Sequence, residues 1–363
     1  MAGRFTPTSA DQVAGAFARI EEELIRSIIR NLKNHRVEEI EYGFEWAAWQ
    51  ALQLQSLDAF ARANAYRYGP MFDKLNELIE QAIAEAYEVG GSEAEAAILR
   101  AVKNGWTPPA GAPGDNPGAP FGGSFFRVPQ NRLNALIRAT HTDMMRAEHA
   151  ILRKSIDVYR ETVMSTQTYA LSGAGTYAKA IDMATDDFLR KGINGIVYRN
   201  GSQHGIEEYS RMATRTAVKR AALAGDGDMR ERWGVHTVIV AYNPQGCPEC
   251  QEWSGQVLID DVYSGGSAAE AQASGYALLS EAMDAGLFHP NCRDSLSTYF
   301  EGVSAPPRKP SAAQMQRGER REEREQRQNE LDNRRAMYGR LADFSLDPER
   351  RRHYRALEEG AGE

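Results

Sequence analysis

Gly246-Cys247-Pro248-Glu249-Cys250 and Phe288-His289-Pro290-Asn291-Cys292-Arg293-Asp294 bracket the stretch that decides how this chain is read. The 363 residues contain three cysteines, and all of them fall in these two short segments, which together offer three thiolates and one imidazole. That is a full tetrahedral set for zinc. In a C-x-x-C turn both sulfurs sit on one side of a tight knuckle and can grip one ion at about 2.3 Å; H-x-x-C does the same with nitrogen and sulfur. Pro248 and Pro290 fix φ in the two turns, so less freedom is lost on binding. About 38 residues separate the pairs, more than a small finger carries, so a strand and a helix are expected between them.

Other readings of the cysteines are weaker. A disulfide needs an oxidising compartment and would leave one of three thiols over. A redox C-x-x-C opens a helix in a βαβ unit, whereas Gly246 and Pro248 point to a turn. Catalytic zinc keeps a coordination position open, and here four ligands are at hand: Cys247, Cys250, His289 and Cys292. The nucleobase deaminases share P-C-x-x-C, but Gly246 precedes Cys247, and neither His204-Gly205-Ile206 nor His236-Thr237-Val238 supplies their glutamate. A closed structural site is the favoured reading, with ligand binding converted into folding free energy.

The net charge of −7 describes a chain that does not coat nucleic acid non-specifically, although local contact with DNA stays open. No run approaches the roughly 20 apolar residues of a membrane span, and a basic flank with an apolar core is missing at the N-terminus. Synthesis in a reducing cytoplasm is expected.

Outward from the cysteines, the chain reads as α+β and predominantly α-helical, in five consecutive regions. Residues 1–103 form a helical arm: Ser9 and Gln12 make a capping box, and Val13, Phe17, Ile20, Leu24, Ile28 and Leu32 recur at helical steps up to a break near Asn34-His35. Two further runs follow, one with Trp46, Trp49, Leu52, Leu57 and Phe60, the other from Phe72 to Ile83. Residues 104–128 are rich in proline and glycine, a linker whose apolar end, with Phe121, Phe125 and Phe126, is expected to dock on a helix or another protein.

Residues 129–233 form a central helical domain, with a helix from Pro129 to about Ser165, one from Thr176 to Arg190 and one from Gly205 to Arg232, where Asp226-Gly227 mark an end. Arg211, Arg215 and Lys219 lie at one-turn spacing and offer a basic stripe for a partner; the alternative is a solvated face paired with Glu207 and Glu208. Residues 234–302 form the Cys3His zinc module. A strand over 235–242 leads into the first knuckle, 256–259 return as a hairpin, 267–285 are helical and 294–300 supply the last strand. Residues 303–363 form a charged helical tail, in which Arg350, Arg351 and Arg352 could contact DNA phosphates or lie in a solvated tail. No Ser/His/Asp spacing, phosphate loop or standout carboxylate pair argues for catalysis.

Gly192, Tyr198, Asn200-Gly201, Tyr209 and Met212 to Arg215-Thr216, followed by a strand, by Trp253-Ser254-Gly255 and by Asn291-Cys292-Arg293, carry a resemblance. Over roughly residues 10–302 the chain resembles the tailed-phage minor capsid protein 2 family and the allied Mu F-like head morphogenesis proteins. Cys247 and Cys250 are closer to the Mu F-like pattern, while Asp294 stands where those proteins carry a last cysteine. The resemblance implies a non-enzymatic minor head protein of the virion, at or near the portal vertex, acting in head assembly and in DNA packaging or delivery. The implied partners are the portal and major capsid proteins and packaged DNA, with several copies arranged by the symmetry of the assembly. Two alternatives stay open: a metal-dependent nucleic-acid enzyme, and an injected DNA-associated effector using Arg215, Arg350 and Arg351.

Overall fold

The computed structural model describes residues 8–42, 46–109, 112, 130–171, 176–193, 196–197, 203–243, 248–289, 292, 294–305 and 311–361. Its elements in chain order are α1 (Thr8–Tyr42), α2 (Trp46–Gln55), α3 (Leu57–Lys103), α4 (Gln130–Leu171), α5 (Tyr177–Lys191), β1 (Ile196–Val197), β2 (Gln203–His204) and α6 (Ile206–Arg232). Then follow β3 (Thr237–Val240), α7 (Pro248–Gln251), β4 (Val257–Ile259), α8 (Ala268–Ser274), β5 (Ala277–Leu278), α9 (Leu279–Asp284), β6 (Leu296–Thr298), α10 (Ala312–Phe344) and α11 (Pro348–Gly360). The fold is α+β and mainly helical, as the sequence indicates. No helix among the described residues is long and apolar enough to cross a membrane.

Compactness groups the chain into two units of non-adjacent stretches. One, the helical unit, takes Asp11–Asn76, Asp143–Arg211 and Glu323–Glu363. The apolar positions of α1 read from the sequence are its core: Phe17, Ile20, Leu24, Ile28 and Leu32 are buried, and Phe17 stacks on Phe72 at 5.7 Å. Polar pairs are buried with them, Ser27 donating to Asn64 at 3.2 Å and Asn76 to Glu148 at 2.8 Å. The Asp182 carboxylate clamps the turn between α10 and α11, accepting from the Ser345 hydroxyl and from the amides of Leu346 and Asp347 at 2.7 to 2.9 Å.

The other unit takes Met1–Ala10, Glu77–Thr142 and Met212–Glu322 and contains the four-stranded sheet, in the order β5-β4-β3-β6. β3 pairs antiparallel with β4 and with β6, and β5 runs parallel to β4. Val238, Val240, Leu258, Leu279, Leu287 and Leu296 fill its core. Beside it α3 and α6 cross at near-backbone contact: a Cβ on Gly90 would collide with the Ala222 carbonyl, and one on Gly225 with that of Tyr87.

Four expectations about elements are corrected. α1 continues past Asn34-His35 to Tyr42, since neither residue breaks a helix as proline or glycine would. α4 ends at Leu171 rather than Ser165. α6 passes through Asp226-Gly227 to Arg232: Asp226 pairs one turn on with Arg230 at 2.8 Å, and Gly227 gives the room that Tyr263 fills. The segment 267–285 is two helices, because Gly275 turns left-handed at φ 76° and Ala277-Leu278 then add the parallel strand β5. In the C-terminal region, 348–360 form α11, opened by the Asp347 cap and Pro348.

Candidate metal centre

β3 delivers the chain to the short helix α7, which carries Cys250, and β6 begins just after Cys292. The Cys292 amide donates to the His289 carbonyl at 3.0 Å, which closes the turn that sets imidazole and thiol side by side. Phe288, immediately before, stands in the left-handed region at φ 60°, a conformation a non-glycine residue adopts at a cost and that collects at functional sites. The result is that the ligand atoms of Cys250, His289 and Cys292 all lie within 4.8 Å of one another. Both cysteines are buried, with their sulfurs 3.5 Å apart. At bonds of about 2.3 Å two sulfurs of a tetrahedron stand about 3.8 Å apart, so the observed spacing needs only a small opening. Cys247, the fourth ligand expected from the sequence, lies outside the described residues.

Cys250 and Cys292 pack among the apolar side chains of the sheet core, and polar groups reach Cys292 there. The Asp294 amide donates to Cys292 Sγ at 3.4 Å, and the buried Asp294 carboxylate lies 3.4 Å from the same sulfur with its second oxygen unpartnered among the described residues. Lys219 of α6 reaches in, donating to the Cys292 carbonyl at 3.1 Å and lying 4.4 Å over the Phe288 ring. Burial pulls its ammonium below the ordinary lysine value, against the pull of Cys292, Asp294 and Cys250. Two thiols and an imidazole at this spacing suit zinc, a borderline-soft ion that takes sulfur and nitrogen.

The Trp253-Ser254-Gly255 element supports the same corner. Gly255 has φ 79°, its amide donates to the Val240 carbonyl at 2.8 Å, and a Cβ there would meet the Tyr242 ring. Only glycine combines that backbone with that closeness. His236 is packed rather than ligating, half-buried with Nδ1 3.4 Å from the Ser264 hydroxyl.

Of the other residues singled out from the sequence, Lys219 meets this centre. Arg211 is ion-paired with Asp11 at 3.1 Å and with Glu207 at 2.7 Å, the second being the pairing weighed against a basic stripe. Arg215 is half-buried on α6. Arg350 binds Asp186 at 2.7 Å and the Tyr354 hydroxyl at 3.0 Å, Arg351 donates to the Ser345 carbonyl at 2.7 Å, and Arg352 is exposed. Phe121, Phe125 and Phe126 lie outside the described residues.

Sequence reasoning missed a buried charge cluster in the sheet-containing unit. The fully buried Arg230 guanidinium bonds Asp226 and, at 2.6 Å, Asp260, which also accepts the amides of Val262 and Tyr263. Burial raises the Asp226 carboxyl, Arg230 opposes it and the like charge of Asp260 adds to it. Nearby, Asp228 accepts from the Tyr87 hydroxyl and from Arg132 at 2.9 Å, and burial pushes its carboxyl up to about 6. The four-residue spacing of Asp226 and Arg230 was the available signal, but helical spacing alone does not tell a buried pair from a surface one.

Among comparisons with known proteins, a family model described as phage minor capsid protein 2 matches residues 6–337. No curated protein and no solved structure matches the chain.

Proposed function

The chain belongs to the phage minor capsid protein 2 family, and from that premise we propose that it is a structural head protein of the virion placed at or near the portal vertex. There it acts in head assembly and in DNA packaging or delivery, without catalysis. The observation that carries the reading is a family match running from residue 6 to residue 337, across both compact units. α10 supports it: most of its side chains up to Arg335 are exposed, a charged face available to the portal or major capsid protein. A zinc ion held by Cys250, His289 and Cys292, with Cys247 completing the set, staples the small sheet, whose strands of two to four residues are too short to hold a core alone. Contact with packaged DNA falls to Arg352, whose side chain is exposed.

Quantitative mass spectrometry of purified particles, scaled against the portal subunit, tests the placement. A copy number comparable with the portal ring is the expected result. Absence from the particle overturns the reading.

A further inference from the structure

The zinc reading leaves one feature of the site unexplained, a lysine drawn into it from α6. Around Cys292 the chain gathers two thiols and the buried Asp294 carboxylate, whose Oδ1 has no hydrogen-bond partner among the described residues. As zinc ligands both thiols are deprotonated. Two thiolates and one carboxylate exceed the charge of a divalent ion by one, and Cys247 as a further thiolate adds to the excess. Net charge in a buried site is costly unless it is paired.

Lys219 stands where an offsetting charge is needed. Its ammonium is within electrostatic reach of Cys292, Asp294 and Cys250, and it is held from two sides, by the Cys292 carbonyl at 3.1 Å and by the Phe288 ring at 4.4 Å. Both anchors flank the H-x-x-C turn, so the bond to the carbonyl fixes the residue that carries the thiolate. We propose that Lys219 is the outer-sphere cation of this metal centre, a positioning residue that offsets the thiolate charge and holds Cys292 for ligation. The proposal rests on the zinc reading, and it makes α6 part of the centre.

The test is the rate at which the zinc-loaded full-length chain passes its metal to a chromophoric chelator. Lys219→Gln keeps a donor for the Cys292 carbonyl but removes the charge, and is expected to release zinc about tenfold faster with unchanged circular dichroism. Lys219→Arg keeps the charge and is expected to stay close to the parent rate. Lys219→Met, without charge or donor, should release at least as fast as Lys219→Gln. A Lys219→Gln variant that releases zinc at the parent rate overturns the proposal. A parent chain that binds no zinc overturns the metal reading itself, and the two failures are told apart by the parent measurement.

Discussion

The helical unit and the sheet-containing unit solve the same problem with different means. In the first, long amphipathic helices bury Phe17, Ile20, Leu24 and Ile28, and the ends are tied by polar clamps such as Asp182 on the turn before α11. In the second, the strands are two to four residues long, and the elements around them meet groups that act at a point: the buried Arg230 and glycines that let backbones touch, joined on the proposed metal reading by the Cys/His cluster. A long apolar stripe spreads its stabilisation over many residues, so no single change is decisive. A small module concentrates it, and single residues become critical.

The sharpest break in the comparison is expected at Cys292. On the proposed metal reading, Cys292→Ser removes a ligand from a site whose binding free energy is folding free energy, so amide protection should collapse over 237–298 while α1 and α5 keep theirs. Hydrogen exchange read residue by residue checks this.

Next in size is Arg230→Met, which leaves Asp226 and Asp260 buried without their cation. The expected cost is about 3 to 5 kcal/mol, seen in denaturant unfolding of the sheet-containing unit. Asp182→Ala sharpens the other side. It removes one acceptor from three bonds and should cost about 2 to 3 kcal/mol, with exchange rising in α11 and zinc content unchanged.

The smallest effect is a pH dependence in the helical unit. Burial raises the Glu148 carboxyl from 4.5 to about 7, with the nearby Asp73 adding to it and the Asn76 bond opposing. The folded chain therefore holds this proton more tightly than the unfolded one. Its contribution to stability is full below the ordinary carboxyl range and is lost as pH rises towards 7. Glu148→Gln should flatten that slope and gain on the order of 1 kcal/mol at pH 8, as measured by urea unfolding across the range.

Much of this was legible in the residues. Periodicity gave the helices because apolar side chains at three- and four-residue steps face one core, and the pairing of Cys250 with His289 and Cys292 followed from ligand chemistry. The strand around Val238 was also visible, since a β-branched and apolar run feeds the first knuckle, and those around Leu258 and Leu296 were expected after the knuckles. What stayed hidden depends on contacts between distant stretches. Gly227 looks like a helix end until Tyr263 is known to pack on it, and Lys219 looks like one member of a surface stripe until Cys292 arrives beside it. Likewise Arg350 and Arg351 look like free cations until Asp186 and the Ser345 carbonyl meet them.

The proposed contrast, in which the sheet-containing unit needs a metal and the helical unit does not, is tested most directly by hydrogen exchange on the intact chain before and after zinc is removed by a chelator. The expected result is lost protection across β3, β4 and β6 with protection retained in α1 and α5, and recovery when zinc is returned. Unchanged protection of the three strands in a chain shown to be free of metal would contradict it.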